Sequence, residues 1–296
     1  MGIAEVIPGV SGGTIAFITG IYEELINTIK SVLGPDWFVA FRQKGFPAFW
    51  QTINGTFLLF LMAGMALGVV VGVLGVSHLL ENYPILLWSF FFGLIIASAW
   101  YIGKQVRRWA LDRALGLVLA AALAYWITIA SPSQGNSAYW FVFVSGMIAI
   151  SALILPGISG SFILLLMGMY TLIIPSVKAA LTGGDTQSLI TLVVFAGGCV
   201  VGLATFSRVL SWTFKRYHDL TMAVLTGFMI GSLNKIWPWR EVLSYRTDSS
   251  GHEVPFLERS VWPSDYPGDP MVLPAIGLMV AGIVLVLVLD RYDAKK

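Results

Sequence analysis

The length of the apolar runs constrains this chain before anything else does. Segments 57–76, 85–102, 189–207, 220–236 and 271–289 are nearly free of charge. Each comes close to the roughly 20 residues that a helix needs to cross a bilayer. None alternates with the period of two that a membrane barrel strand requires. Composition points the same way: 57% of the 296 residues are hydrophobic, 11% are charged, and the mean hydropathy is +0.80. Soluble domains carry about 25% charged residues. The expected fold class is an all-α polytopic membrane protein.

Several functional classes lack the residues they need. The net charge of +2 is not gathered on one element, so nucleic acid is not an expected partner. Cys199 is the only cysteine, which leaves no disulfide framework and no thiol metal cluster. It sits in "AGGCVVG" and reads as a small packing residue. His78, His218 and His252 are not spaced as metal ligands, and no Gly-Lys-Ser or Gly-Lys-Thr occurs, so neither a metal nor a nucleotide cofactor is expected. A lipid phosphatase reading of "SRVLSWTFKRYHD" fails because Phe214 stands where histidine is wanted after Ser207-Arg208, and His218 lies too far on. Met1 is followed by "GIAEVIPG" rather than a basic region and a long apolar core, so insertion is expected to rely on internal helices.

Lysine and arginine collect in cytoplasmic loops. Segments 30–54, 104–113 and 208–219 and the C-terminal tail hold basic residues, whereas 77–84 and 131–138 hold none and 178–188 holds only Lys178. The long segment 238–270 has three basic residues against six acids. The expectation is that the first group faces the cytoplasm and the second the outside. Each apolar run, together with 115–130, then crosses once.

The two regions left over carry the same motif. Residues 7–20 read "IPGVSGGTIAFITG" and residues 155–168 read "LPGISGSFILLLMG". Pro8, Gly9, Ser11, Gly12, Ile15, Gly20 and Tyr22 recur 148 residues later as Pro156, Gly157, Ser159, Gly160, Ile163, Gly168 and Tyr170. Farther on the offset is 134: Gly64, Gly68, Gly93 and Ser98 match Gly198, Gly202, Gly227 and Ser232. The halves are roughly 1–130 and 139–290, with 238–270 a long outer loop in the second. The charge map runs the three helices after each motif in opposite directions. Two inverted-topology repeats are therefore expected, each a re-entrant hairpin followed by three transmembrane helices. Such repeats place a binding site near the midplane.

The motif suits a hairpin tip. Pro156 cannot continue a preceding helix, and Gly157 and Gly160 allow sharp turns. Segments 139–155 and 162–177 are each under one full span, so "PGISGS" falls at membrane depth, where irregular backbone survives only in protein or a wet cavity. Segments 14–29 and 162–177 are expected to run on as the second arms, with Ser159 or Ser161 as a cap. Free N–H groups at a helix start attract an anion. Pro8, Gly9, Ser11, Gly12, Gly13 and Thr14 of the first tip, with Pro156, Gly157, Ser159, Gly160 and Ser161 of the second, are the expected anion-binding residues. The alternative is a pair of tight packing hairpins that bind nothing. The first motif begins seven residues from Met1, so either the given start lies downstream of the natural one or the first half is shortened.

Other residues have narrower readings. Glu5 precedes the first motif where Leu153 precedes the second. It is either a proton or cation coupling site or an interfacial acid. Glu23 and Glu24 read as interfacial or cavity-lining. Arg208 reads as snorkelling at the cytoplasmic edge, with a phosphate partner as the other reading. The aromatics of "WPWR" and "VWPSDYPGDP" read as an outer interfacial belt or as groups admitting a head group. Gly64, Gly68 and Gly72, like Gly198 and Gly202, read as close-packing faces.

Together, "EVIPGVSGGTIAFITGIYEELI" and "LILPGISGSFILLLMGMY" resemble the bacterial polyprenyl-phosphate transporter family, over nearly the whole chain. Members carry an N-terminal extension, most of which is absent here, and Glu5 falls where the family has Asp or Glu. The resemblance implies a multi-pass protein of the bacterial cytoplasmic membrane, with no enzymatic activity. It implies a flippase-type carrier that returns undecaprenyl phosphate between leaflets for reuse in peptidoglycan and other envelope polymers. A small-anion transporter or channel, and a membrane enzyme acting on a lipid phosphate, are the competing classes.

Overall fold

The computed structural model describes residues 1–5, 7, 10–181, 183, 186–247 and 253–293. Pro8, Gly9, His252, Lys295 and Lys296, which figure in the expectations above, lie outside the described residues. The first half contains α1 (Gly2–Glu5), α2 (Gly12–Ile18), α3 (Tyr22–Val32), α4 (Asp36–Thr52), α5 (Gly55–Val71), α6 (Ser77–Asn82), α7 (Pro84–Lys104) and α8 (Leu111–Ile129). The second contains α9 (Tyr139–Ile154), α10 (Gly160–Leu166), α11 (Tyr170–Leu181), α12 (Thr186–Arg216), α13 (His218–Ser232), β1 (Arg240–Thr247), β2 (Glu253–Ser260) and α14 (Val272–Asp293). A π-helical turn joins α5 to α6, and a 3₁₀ turn, Leu233–Ile236, follows α13.

Among the described residues five helices are long and apolar enough to cross a membrane: Gly55–Leu80, Pro84–Lys104, Leu111–Ile129, Thr186–Arg216 and Val272–Arg291. The chain is a multi-pass membrane protein. The run at 220–236 departs from expectation. Its helix, α13, ends at Ser232 after 15 residues and is largely buried, so its apolar character serves helix packing as much as lipid.

The second arms also depart from expectation. Neither 14–29 nor 162–177 is one helix. The first breaks between α2 and α3, the second between α10 and α11, where the axis bends by 115°. The cause is one residue in each copy: Gly20 at φ 70° and Gly168 at φ 67°, a left-handed conformation that glycine alone adopts without strain. The chain is not all-α either. Within 238–270, β1 and β2 pair antiparallel. Val242, Tyr245 and Thr247 are β-branched or aromatic residues that strands favour, set inside a chain dominated by helical runs.

Helices pair through glycines. Cβ atoms added at Gly93 and Gly282 would strike carbonyls of Met279 and Phe90, which holds α7 against α14. Gly227 and Gly231 meet the carbonyls of Leu117 and Ala121 and hold α13 against α8. Gly198 and Gly202 lie on Phe143 and Met147, joining α12 to α9, and Gly68 lies on Gly2 and Ile3, joining α5 to α1. Such small residues let helix backbones approach. Gly64 is the exception to the expected packing face, with nothing within 4 Å of its would-be side chain. Exchanging the two halves turns the α7–α14 pair into α13–α8 and the α1–α5 pair into α9–α12. The main hydrophobic core gathers around the first motif, with Ile7, Val10, Tyr22, Ile95, Ile102, Met222 and Met229 all buried.

Candidate anion-binding site

The two motifs fold alike. Ser11 and Ser159 are both extended residues at the start of a seven-residue helix. In the first copy a side chain on Gly12 would strike Glu5 (2.3 Å from Oε1); in the second, one on Gly160 would meet Leu153, the equivalent position (3.3 Å from Cβ). α9 ends at Ile154 because Leu155 precedes proline and is held extended (ψ 130°). Pro156 and Gly157 then form the turn. Gly157 has φ 89°, and a Cβ there would lie 2.7 Å from Ser232 Oγ and 3.1 Å from Met229 Cα. Both the turn and the approach of α13 require glycine at this point.

The motifs touch. The Ser11 hydroxyl donates to the Leu153 carbonyl at 3.0 Å, and the Gly157 N–H donates to Thr14 Oγ1 at 3.1 Å. Tyr22, just beyond the first break, donates its hydroxyl to the Ile154 carbonyl at 3.1 Å. Its ring packs on Phe17 and Phe214. Of the residues expected to bind an anion, Ser11, Gly12, Gly13, Thr14, Pro156, Gly157, Ser159 and Gly160 are buried together, and Ser161 is exposed.

The polar groups of the two tips are used differently. In the first tip the N–H groups expected to be free are covered. Gly12 donates to Glu5 Oε1 at 3.0 Å and Gly13 to Ser11 Oγ at 3.1 Å. The Glu5 carboxylate occupies the helix start. In the second tip neither serine acts as the expected cap. Ser159 makes no capping bond, and its hydroxyl lies 2.8 Å from that of Ser161.

A cleft of about 380 Å³ opens beside the second tip, walled by Phe162, Leu165 and Leu166 of α10 and by Lys235, Arg240 and Glu258. Lys235 Nζ lies 4.6 Å from the centre of the Phe162 ring. Lys235 and Arg240 were missed in the sequence because their run ends in "NKIWPWR", which reads as an interfacial flank. The signal that could have found them is the β-branched and aromatic content after Arg240. Trp237 and Trp239 donate to the carbonyls of Val261 and Pro270, at 2.8 and 2.7 Å, and Trp239 is buried. Trp262 is exposed.

A second cleft, of about 370 Å³, lies between α3 and α12, lined by Lys30, Asp36, Arg208 and Lys215 among others. Arg208 donates to the carbonyls of Ala204 and Leu33, both at 2.9 Å, so it closes the C-terminal end of α3. Glu24 accepts from Asn54 at 2.8 Å, and Glu23 lies 3.7 Å from His218. Cys199 packs on the Gly146 carbonyl. Among the described residues no cluster of His, Cys, Asp and Glu could hold a metal ion.

Residues 1–254 match the family described as undecaprenyl phosphate translocase-like. The chain is 45% identical to a polyprenyl-phosphate transporter of Vibrio cholerae over 299 aligned residues, covering all of this chain and 94% of the relative. It is 30% identical to a polyprenyl-phosphate transporter of Staphylococcus aureus over 252 residues, covering 80% of this chain and 83% of that one. No solved structure matches. The chain belongs to the undecaprenyl phosphate translocase-like family.

Proposed function

We propose that this protein carries undecaprenyl phosphate between the leaflets of the bacterial cytoplasmic membrane, as a transporter and not an enzyme. The observation that carries the mechanism is the contact between the two motifs, which brings the only doubled polar segment of an apolar chain to one place. The phosphate head group is received there while the prenyl tail stays in lipid. The second tip is the receiving side: Ser159 and Ser161 hydroxyls and the Gly160 backbone are its donors, with Pro156 and Gly157 setting their turn. The first tip, with Pro8, Gly9, Ser11, Gly12, Gly13 and Thr14, is the counterpart used when the carrier faces the other leaflet.

In this reading the halves, 1–130 and 139–290, are inverted repeats. The matching helix pairs and the matching local fold of the motifs support it. Loops that the charge map assigns to one side also touch each other. Arg108 N–H meets Asp219 at 3.3 Å, and Arg208 reaches Leu33. On the other side the ends of the spans meet: Asn234 donates to Thr128 at 2.8 Å, and Trp239 of the 238–270 loop packs with Ile85 near the start of α7. We assign the first set and the C-terminus to the cytoplasm.

Glu5 supplies the coupling. Its carboxylate stands on the Gly12 N–H as a phosphate oxygen would, so a bound phosphate and an ionised Glu5 compete for one donor. Protonation of Glu5 removes the competing charge.

The test is reconstitution. Proteoliposomes loaded with a short-chain polyprenyl phosphate should show its movement between leaflets with no inorganic phosphate released. An anion current without lipid movement would assign the protein to small-anion transport, and released phosphate would make it an enzyme.

A further inference from the structure

The β-hairpin sorts its charges by face. In the register Arg240 pairs with Ser260 and Val242 with Glu258, which sets Arg240 and Glu258 diagonally on one face. Glu241 and Arg259 are direct partners on the other face, where they form an exposed ion pair of 2.7 Å. The Arg240 face turns toward the bundle. There a single oxygen, Glu258 Oε2, serves two cations: Arg240 Nε at 3.3 Å and Lys235 Nζ at 3.6 Å.

The charge there does not balance. Arg259 is neutralised by Glu241, which leaves Lys235 and Arg240 against Glu258 alone in the lining of the cleft. The Arg240 side chain is only 9% exposed, and its buried Nε faces Glu258 Oε2 at 3.3 Å without the geometry of a hydrogen bond. Its Nη1 is turned to the carbonyls of Asn234 and Lys235, which hold the guanidinium in place. A buried cation left in surplus is costly. An arginine fork is the group best shaped for phosphate oxygens. The apolar walls, Phe162, Leu165 and Leu166, lower the local dielectric and strengthen any anion that enters.

We propose that Lys235 and Arg240 form a receiving site for a phosphate monoester, with Glu258 as the internal anion it displaces, at the entrance to the second tip. Phe162 connects the two places. Its ring faces Lys235 Nζ, and the next residue back, Ser161, carries one of the paired hydroxyls. A head group seated between the two cations is therefore next to the tip before it enters. The site rests on the transport reading above for its lipid, but its chemistry is that of a phosphate monoester or free phosphate alike.

Binding of a short-chain polyprenyl phosphate to the full chain in nanodiscs, with inorganic phosphate as competitor, tests this. Lys235→Gln and Arg240→Gln should each weaken binding about tenfold, the loss of one charge-assisted contact. Glu258→Gln should tighten it several-fold, because the competitor is gone. Lys235→Arg should bind as the wild type does. A purely structural ion cluster predicts a different pattern: Glu258→Gln would weaken binding together with the other two, and that result overturns the site. Unchanged binding in Lys235→Gln and Arg240→Gln also overturns it. The same variant pattern seen with inorganic phosphate shows that the phosphate alone is recognised; the pattern with the lipid only shows that the tail contributes. If the wild type moves lipid and binding ignores all three charges, the site fails and the transport reading stands. If no lipid moves but inorganic phosphate follows the pattern, the transport reading fails and the site stands.

Discussion

The two tips share a backbone and differ in what their polar groups touch. The first is locked. Its helix start is held by Ser11 and by the Glu5 carboxylate, and Ser11, Thr14 and Tyr22 all bond to residues 153–157. The second is open. Ser159 and Ser161 bond to each other, Ser161 is exposed, and a cleft with surplus positive charge lies alongside. One sequence motif therefore does two jobs in this state. The first copy braces the second, and the hydroxyls of the second pair with each other. The difference traces to three positions, where Glu5, Gly13 and Thr14 stand in one copy and Leu153, Ser161 and Phe162 in the other.

Substitutions can break that contrast in graded steps. The largest loss of stability should follow Gly157→Ala, at the turn both tips depend on. It forces a side chain into a left-handed residue and against Met229 and Ser232, at a cost of about 2–4 kcal/mol. A melting curve in detergent reads this directly. Gly64→Ala, with open space around it, should melt as the wild type does. Next come Thr14→Val and Tyr22→Phe. Each leaves a buried backbone group unpaired, Gly157 N–H or the Ile154 carbonyl, for about 1–3 kcal/mol. The serines should then separate the tips. Ser11→Ala should cost about 1 kcal/mol as a lost cap, whereas Ser159→Ala should cost less than about 0.5 kcal/mol, since no cap is lost. Equal melting shifts for the two serines would contradict the contrast. The smallest effect on stability should come from Glu5→Gln, which can still accept from Gly12. Its effect lies in transport: if Glu5 couples transport to protons, the pH dependence of the wild-type rate should flatten in this variant.

Much of this was legible in the sequence, and the limits have physical causes. Run length revealed the spans, because lipid demands uninterrupted apolar helices. The doubled motif was visible because its prolines and glycines recur in the same order in both copies. The breaks at Gly20 and Gly168 were in view as matched glycines, yet their conformation depends on φ, which spacing does not encode. The run 220–236 read as a full span because a buried helix and a membrane helix are both apolar. The hairpin at 240–260 was hidden in a charged loop, and with it the pairing of Lys235 and Arg240 on Glu258. Glu5 could be singled out as the position that breaks the symmetry, but its bond to Gly12 depends on the chain folding back over seven residues.

The central claim is that the open second tip receives the phosphate head group. The most direct measurement is the initial rate of polyprenyl phosphate movement in proteoliposomes for Ser159→Ala combined with Ser161→Ala. This pair avoids Ser11, whose loss would also loosen the scaffold. The account predicts a rate at least about tenfold below wild type with the melting temperature unchanged. A wild-type rate in that double variant would contradict it.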